Sequence, residues 1–230
     1  MSQSLRKIAD DLFTADAPLR FAGAEIGTRM TAVRLPEGDL VLISPVPARQ
    51  ELVAEVSALG RVAHLVAPNK MHHLYIGQWH EAFPDASLYV APGLEEKRRD
   101  LRITEVLGSE PESSWAEELD QVFVRGFPFA NEVVFFHRSS ATLILTDIAF
   151  NIGPESPLLT RIGFRLLNGY GRLTPSLLER LLVRDRKSFR EDLERIFEWP
   201  FDRVVVTHGQ IVESGGREQL RRGYSWVLGD

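Results

Sequence analysis

The chain has 230 residues, of which 44% are hydrophobic and 26% are charged, and a formal net charge of −5 at pH 7. This length allows one sizeable core, and we expect a single domain over residues 1–230. The basic residues of 184–190 are interleaved with acidic ones, which argues against nucleic acid as a partner. No stretch reaches the roughly 20 apolar residues that span a bilayer, so we expect no membrane association.

The sequence contains no cysteine, which excludes disulfide bonds and thiolate metal ligands. Any bound metal must therefore be held by His, Asp or Glu. The first residues lack the apolar core of a signal peptide because Asp10 and Asp11 interrupt it. Together with the lack of cysteine, this predicts a cytoplasmic protein.

The predicted elements of the first half alternate between strands and helices, which is typical of an α/β fold. Apolar spacing and turn residues predict a strand with a turn in 8–21, a hairpin of 28–35 and 40–44, a helix over 48–59, a strand over 62–67, a helix over 72–83, a strand over 87–91 and a brief helix over 94–100. Residues 100–118 are weakly patterned, and we interpret them as a surface excursion.

The second half begins with strand signals and ends with helices around one more strand. The patterns predict strands over 121–125, 132–137, 142–146 and 201–207, and helices over 175–183, 185–197 and 217–227. Thr174 and Pro175 suit the first positions of a helix. The glycine-rich segment 150–173 predicts a broken helix and loop that covers a cleft or a dimer face.

Polar side chains follow three of the predicted apolar strands. His72 and His73 follow the strand over 62–67, Asp147 follows 142–146, and His208 follows 201–207. Strand ends meet at one edge of a sheet, where α/β folds place their chemistry. Imidazole and carboxylate together suit zinc, iron or manganese. Taken singly, each has a structural explanation, since a histidine can be hydrogen-bonded in a core and an aspartate can cap a turn.

The order of elements resembles the metallo-β-lactamase fold, a four-layer αββα sandwich whose members bind one or two metals along the sheet edge. The family motif His-x-His-x-Asp-His corresponds to residues 68–73, PNKMHH. The later carboxylate of the family corresponds to Asp147 in LILTDIAF, and its late histidine corresponds to His208 in VVVTHGQI. The resemblance therefore implies a metal site in an α/β sandwich.

The departures from the family pattern imply that one metal site is lost. Pro68 and Lys70 stand where the family has its first two histidines, and residues 127–131, FPFAN, contain none where the third lies. Ser44 replaces the aspartate of an Asp-Thr-Gly segment. The second site is expected to persist in altered form, with one divalent ion, zinc, iron or manganese, held by four residues. These predicted ligands are His72, His73, Asp147 and His208.

We predict a metal-dependent hydrolase-like protein with an unknown small-molecule substrate, whose reaction would be hydrolysis of an ester, thioester or phosphoester or a related metal-dependent reaction. Three histidines and one aspartate would fill a tetrahedral zinc, so catalysis would need a higher coordination number or one ligand that stays unbound. Lys70 and Asp147 are the candidate catalytic residues. Lys70 could neutralise Asp147 or, like Asn131, stabilise an oxyanion, and it could equally be a solvated loop lysine.

Two other functions are compatible with the same residues. The chain could be a catalytically inactive binding or interaction module without metal, in which segment 150–173 forms a lid or a homodimer surface. It could also be an enzyme that uses His–Asp general acid–base chemistry and no metal.

Overall fold

The computed structural model describes residues 4–229, and within them the strands form two main sheets and one short hairpin. In chain order the strands are β1 (Arg6–Ala9), β2 (Leu12–Ala17), β3 (Arg20–Phe21), β4 (Ala24–Glu25), β5 (Thr28–Arg34), β6 (Asp39–Ile43), β7 (Arg61–Ala67), β8 (Ser87–Val90), β9 (Glu105–Val106), β10 (Leu119–Phe123), β11 (Val133–His137), β12 (Thr142–Leu145) and β13 (Arg203–Val206). The helices are α1 (Gln50–Leu59), α2 (Ile76–Ala82), α3 (Leu94–Lys97), α4 (Leu158–Leu166), α5 (Leu177–Leu182), α6 (Arg186–Ile196), α7 (Gly216–Gly223) and α8 (Ser225–Leu228).

The first sheet has the strand order β1-β2-β5-β6-β7-β8-β9, and the second has the order β10-β11-β12-β13. Strands β1, β2, β5 and β6 are antiparallel neighbours, whereas β6 to β9 are parallel. In the second sheet, β12 and β13 are the parallel pair. The carboxyl ends of β6, β7 and β8 thus share one edge of the first sheet, and those of β12 and β13 share one edge of the second.

The alternation of side chains along the strands produces four layers. In β6, Leu42 packs with Leu52 of α1, whereas Val41 packs in a separate cluster with Phe135 of the second sheet. On the far side of β11, Val134 packs with residues of α6. Successive strand residues point to opposite faces, so each sheet covers the other with one face and helices with the other. This arrangement confirms the αββα sandwich predicted from the sequence.

The predicted helix over 72–83 begins late, because α2 starts only at Ile76. The side chain of Asn69 accepts hydrogen bonds from the backbone N–H groups of Met71 and His72, both at 2.8 Å, and bends the chain into a turn. Asparagine commonly forms such local turns in competition with a helix. His72 and His73 therefore lie in a loop, where their positions are set by side-chain contacts.

Several other boundaries differ from the prediction. Helix α5 starts after Ser176 and not at Thr174-Pro175, because Ser176 and Glu179 form a reciprocal capping box. The predicted strand over 8–21 is interrupted by a turn in which Asp11 has a φ of 58°. Residues 100–118 contain Trp115, which is 1% exposed in the core between the sheets. That segment is therefore more than a surface excursion.

The predicted last helix is divided into α7 and α8 at Tyr224, whose hydroxyl donates to the backbone carbonyl of Ile148 at 2.5 Å. Within residues 4–229, none of the helices is both long and apolar enough to cross a bilayer.

Candidate metal centre

Three of the predicted site residues converge at the carboxyl ends of strands. Leu145 of β12 aligns with Val206 of β13, and Asp147 and His208 each lie two residues beyond these ends. His72 comes from the loop that follows β7 in the other sheet. The centre therefore lies where the two sheets meet, which is why residues far apart in sequence are neighbours.

The imidazoles of this group face the carboxylate from two sides. His72 Nε2 lies 3.2 Å from Asp147 Oδ2, and His208 Nε2 lies 3.3 Å from Asp147 Oδ1. One ligand atom from each residue lies within 4.8 Å of the others, and all three side chains are buried. This geometry could hold a metal ion, and no other group of three such residues occurs in the described part of the chain.

The outer nitrogen of each imidazole has its own partner. His208 Nδ1 lies 2.7 Å from the backbone carbonyl of Gly27, and His72 Nδ1 lies 2.8 Å from the hydroxyl of Ser44. A carbonyl oxygen only accepts, so Nδ1 of His208 carries a proton, and Nε2 presents a lone pair whenever the ring is neutral. Hydrogen bonds of this kind orient metal-ligating histidines in proteins.

Ser44 holds an unusual backbone conformation at the end of β6. Its φ is 55°, in the left-handed region that residues other than glycine rarely adopt. Its N–H donates to the carbonyl of Val66 at 3.0 Å, which keeps the strand end beside β7. The sequence singled out Ser44 only as a departure from the family pattern, whereas the structure shows it as the partner of His72.

Asn69 is a functional residue that the sequence reasoning missed. It is fully buried, and its Nδ2 donates to Asp147 Oδ2 at 2.6 Å and to Thr146 Oγ1 at 2.9 Å. Its Oδ1 accepts from the backbone of His72, as described above. One side chain therefore fixes both the carboxylate and the loop that carries the first imidazole.

Glu132 holds the backbone around Asp147 in position, and the sequence reasoning did not identify it either. Its side chain is fully buried and accepts hydrogen bonds from the backbone N–H groups of Thr146 at 2.7 Å, Asp147 at 2.6 Å and Ile148 at 3.1 Å. Burial and the charge of Asp147 raise the pKa of Glu132. The only signal in the sequence was an acidic residue directly before the apolar run VVFFH.

Asp147 is ionised in this environment. Burial raises the pKa of its carboxyl, but the charge of His72 and His208 in their protonated form and the hydrogen bonds that these rings then donate outweigh burial and hold the pKa well below its usual range. A bound cation would act in the same direction. A buried carboxylate of this kind needs a cation or several donors.

His73 stands beside this group but is not part of it. Its Nδ1 lies 2.9 Å from the guanidinium of Arg98, which only donates, so Nδ1 accepts and Nε2 carries the proton. Burial, Lys97 and Arg98 lower the pKa of His73 to about 4, so its ring is neutral at pH 7. Its Nε2 is buried and has no hydrogen-bond partner. The ligand role of His73 stays a prediction, and the structure presents it as an unused donor.

Lys70 does not reach the carboxylate in the structure. Its Nζ donates to the backbone carbonyl of Pro128 at 2.5 Å, and the donor found on Asp147 is Asn69. The side chain of Asn131 donates to the carbonyl of Pro92 at 2.8 Å. The catalytic roles of Lys70 and Asn131 therefore stay predictions that would require other hydrogen bonds than these.

Two further histidines with depressed pKa values lie outside the centre. His137 is fully buried, and its ring nitrogens contact the hydroxyls of Ser140 and Ser139. Burial lowers the pKa of His137 and, in the core between the sheets, the pKa of His64. Both residues are buried in the core and lie outside the group that could hold a metal.

A family model described as a domain of unknown function, DUF4336, matches residues 9–167, which include His72 and Asp147 but end before His208. No curated protein matches the sequence significantly. Solved structures match nearly the whole chain at low identity. They include a metallo-beta-lactamase from Pontibacter korlensis, which is 13% identical with a TM-score of 0.67 and 99% of each chain covered.

A metallo-beta-lactamase from Hirschia baltica is 14% identical, with a TM-score of 0.62 and 98% of this chain and 97% of that chain covered. A flavoprotein from Thermotoga maritima is 14% identical, with a TM-score of 0.69, and the match covers 98% of this chain and 61% of that chain. These likenesses show the metallo-β-lactamase fold, as the sequence resemblance implied. They do not show what this chain binds or converts.

Proposed function

We propose that this chain, which belongs to the DUF4336 family (a domain of unknown function), is a metal-dependent hydrolase-like protein that binds one divalent cation. The proposal is based on its own side chains. His72, Asp147 and His208 would hold this cation. The proposal keeps the altered single site expected from the sequence and reduces the ligands from four residues to three.

The observation that carries the proposal is the hydrogen bond from His208 Nδ1 to the carbonyl of Gly27. In the neutral ring this bond leaves the lone pair of Nε2 facing an ionised carboxylate oxygen 3.3 Å away. Two electron-rich atoms at this distance repel each other unless a cation lies between them or the imidazole gains a second proton. A divalent metal satisfies both atoms and keeps the imidazole neutral.

The donor set fits a catalytic metal better than a structural one. Two neutral imidazoles and one carboxylate are three ligands, and three protein ligands leave a position open on zinc. The same combination with open positions is known for non-haem iron, and manganese accepts mixed nitrogen and oxygen ligands. The difficulty of a closed four-ligand zinc, which the sequence raised, disappears if His73 is not a ligand.

When bound, a divalent cation supplies Lewis acidity toward a carbonyl or phosphoryl oxygen and makes water a better nucleophile. Neighbouring residues hold the proposed metal ligands in position for this chemistry. Asn69 and Glu132 hold Asp147 in place, and Ser44 orients His72. His73 lines the same cavity, and its buried, unpartnered Nε2–H is a candidate donor to an oxygen that gains negative charge.

The direct test is metal content. Protein prepared without chelators or a histidine tag would be dialysed against zinc, ferrous or manganous salts and analysed by plasma mass spectrometry. We expect about one ion per chain for one of these metals and loss of that ion in His208→Ala and Asp147→Ala. His80→Ala, in α2 outside the centre, is the matched control and should keep the ion.

Equal and low metal content in the wild type and in His208→Ala, for all three salts, would overturn the metal centre. With metal bound, a panel of carboxylic esters, thioesters and phosphoesters tests the reaction. Hydrolysis of none of them, with a metal-replete protein, would overturn the hydrolase.

A specific observation also favours the alternative of an inactive module. Asp147 already accepts a hydrogen bond of 2.6 Å from Asn69, and protonated His72 and His208 could satisfy its remaining lone pairs without any metal. In that case each of the two imidazoles would donate to Asp147 through Nε2 while Nδ1 of His208 donates to Gly27. NMR of the imidazole protons in metal-free protein separates the two, because an imidazolium carries protons on both ring nitrogens.

A further inference from the structure

A cavity of about 530 Å³ opens onto the candidate metal centre. His72, Asp147 and His208 form one part of its wall, and most of the remaining wall is apolar. The large apolar residues include Phe21, Ile26, Phe127, Phe129, Phe150 and Phe164. This volume lies in the range of about 300–1,000 Å³ that small-molecule sites occupy.

The few charged side chains on the wall outside the centre do not offer a buried ion partner. Lys97 is exposed, and its Nζ donates to the backbone carbonyl of Lys70 at 3.0 Å. The carboxylate of Glu179 accepts the backbone N–H of Ser176 at 2.9 Å in the capping box of α5. Arg20 is exposed on β3. Outside the centre, the wall therefore favours an uncharged part of a ligand over an ionised one.

The rim of the cavity carries several exposed apolar side chains in addition to Arg20 and Lys97. Phe21 is 56% exposed, Leu74 is 55% exposed, Phe129 is 46% exposed and Leu178 is 44% exposed, and all four line the cavity. They come from four separate segments of the chain. Single exposed apolar residues are normal on a protein surface, but a group around one opening marks a ligand site.

We propose that this cavity binds a straight aliphatic chain and that the substrates are esters or thioesters of medium-chain acids. The binding of the chain depends only on the apolar wall, whereas the hydrolysis rests on the proposed function. In the reaction, water forms a bond to the acyl carbon and the C–O or C–S bond breaks. The products are the carboxylic acid and an alcohol or thiol that takes up the remaining proton.

The first test measures binding without metal or catalysis. Metal-free protein is titrated by calorimetry with 1-butanol, 1-hexanol, 1-octanol and 1-decanol, which are uncharged and cannot be hydrolysed. Each methylene that enters the apolar wall should tighten binding by up to about fourfold until the cavity is full. No saturable binding of 1-decanol, or equal affinity along the series, would overturn the proposal.

The second test fills the cavity from α4. Gly163 lines the cavity, and a Cβ placed on it would meet no heavy atom within 4 Å, so Gly163→Leu adds bulk without a clash. We expect it to weaken 1-decanol binding at least tenfold and to leave 1-butanol nearly unchanged. Gly108→Leu is the matched control, because Gly108 also faces open space and lies outside the cavity.

A second variant, outside α4, tests whether weaker binding by Gly163→Leu could result from a folding defect in α4. Leu178→Glu places a charge on a half-exposed position of the wall and should weaken 1-decanol binding while its melting temperature stays close to that of the wild type. Wild-type affinity of Gly163→Leu and of Leu178→Glu for 1-decanol would show that the alcohol binds elsewhere and would overturn the proposal.

The third test uses metal-loaded protein with p-nitrophenyl acetate, butyrate and octanoate. We expect kcat/KM to rise with chain length in the wild type and to lose this rise in Gly163→Leu. Alcohol binding with the expected slope but no hydrolysis would refute the hydrolase and support the chain site. Hydrolysis with equal kcat/KM at all lengths and no alcohol binding would refute the chain site alone.

Discussion

Replacement of Glu132 by glutamine tests how the buried carboxylate organises the centre. The change keeps the shape of the side chain, removes one acceptor oxygen and introduces an NH2 group that donates. Oε1 of Glu132 accepts from Thr146, while Oε2 accepts from Asp147 and Ile148 and lies 3.3 Å from Asn69 Nδ2. The less costly orientation of a glutamine places its oxygen at the Oε2 position.

In that orientation the NH2 group faces the N–H of Thr146, and one hydrogen bond to a charged group is lost. Such bonds contribute about 1.5–3 kcal/mol, and an unpaired buried donor costs about 1–3 kcal/mol more. Burial penalises the charged carboxylate and thereby raises the pKa of Glu132. The neutral glutamine avoids this penalty, which offsets part of the cost. We therefore expect Glu132→Gln to lower the free energy of unfolding by about 2–4 kcal/mol.

At about 2–4 °C per kcal/mol for a domain of this size, the melting temperature should fall by about 5–15 °C. The assay is thermal unfolding followed by circular dichroism, combined with metal content after dialysis. Because Glu132 positions Asp147, the metal affinity should also fall by about 10–100-fold, the usual cost of losing a partner of a metal ligand.

Glu37→Gln is the matched control, because Glu37 is exposed in the turn between β5 and β6. It changes the net charge equally and should melt close to the wild type. If Glu132→Gln melts like Glu37→Gln and binds metal with wild-type affinity, then the N–H groups of 146–148 do not depend on the carboxylate, and the reasoning is refuted.

Three other expectations follow from the described contacts. Ser44→Ala should lower metal affinity about 10–100-fold with little loss of stability, because it frees the outer nitrogen of His72; equal affinity in equilibrium dialysis would contradict this. Burial lowers the pKa of His137 below its unfolded value. The stability that neutral His137 contributes is therefore present above about pH 6.5 and is lost as the pH falls. Urea unfolding should show a smaller loss of stability between pH 7 and pH 5 in His137→Gln than in the wild type. The side chain of Leu159 in segment 150–173 is 71% exposed. If this segment forms the predicted homodimer, Leu159→Glu should give monomers in light scattering where the wild type gives dimers.

The periodic patterns predicted most of the strands, the resemblance to the metallo-β-lactamase fold implied the layers, and three of the four predicted ligands lie together in the centre. Alternating apolar residues in 62–67 and 142–146 predict strands, and polar residues after such strands meet at a common edge. His72, Asp147 and His208 were predicted on this basis, and the structure brings them together. Signals of this kind are local or periodic, so they can be read without knowing the tertiary contacts.

The supporting residues could not be predicted because their partners are distant in sequence. Asn69 lies 78 residues from Asp147, and Ser44 lies 28 residues from His72. A single asparagine or serine in a loop has many possible partners and no periodic signal. The start of α2 was misplaced for the same reason, because the turn that delays it depends on the buried side chain of Asn69.

The hydrogen bond between His208 and Gly27 joins residues that are 181 positions apart. During synthesis the strands β2, β5, β6 and β7 leave the ribosome long before residue 208 exists, so the first sheet can pair while the centre is still open. Capture of an ion by all three ligands must wait for the final segment. Once formed, the centre closes a very long loop, and an ion bound there would slow the detachment of that segment from the rest of the chain.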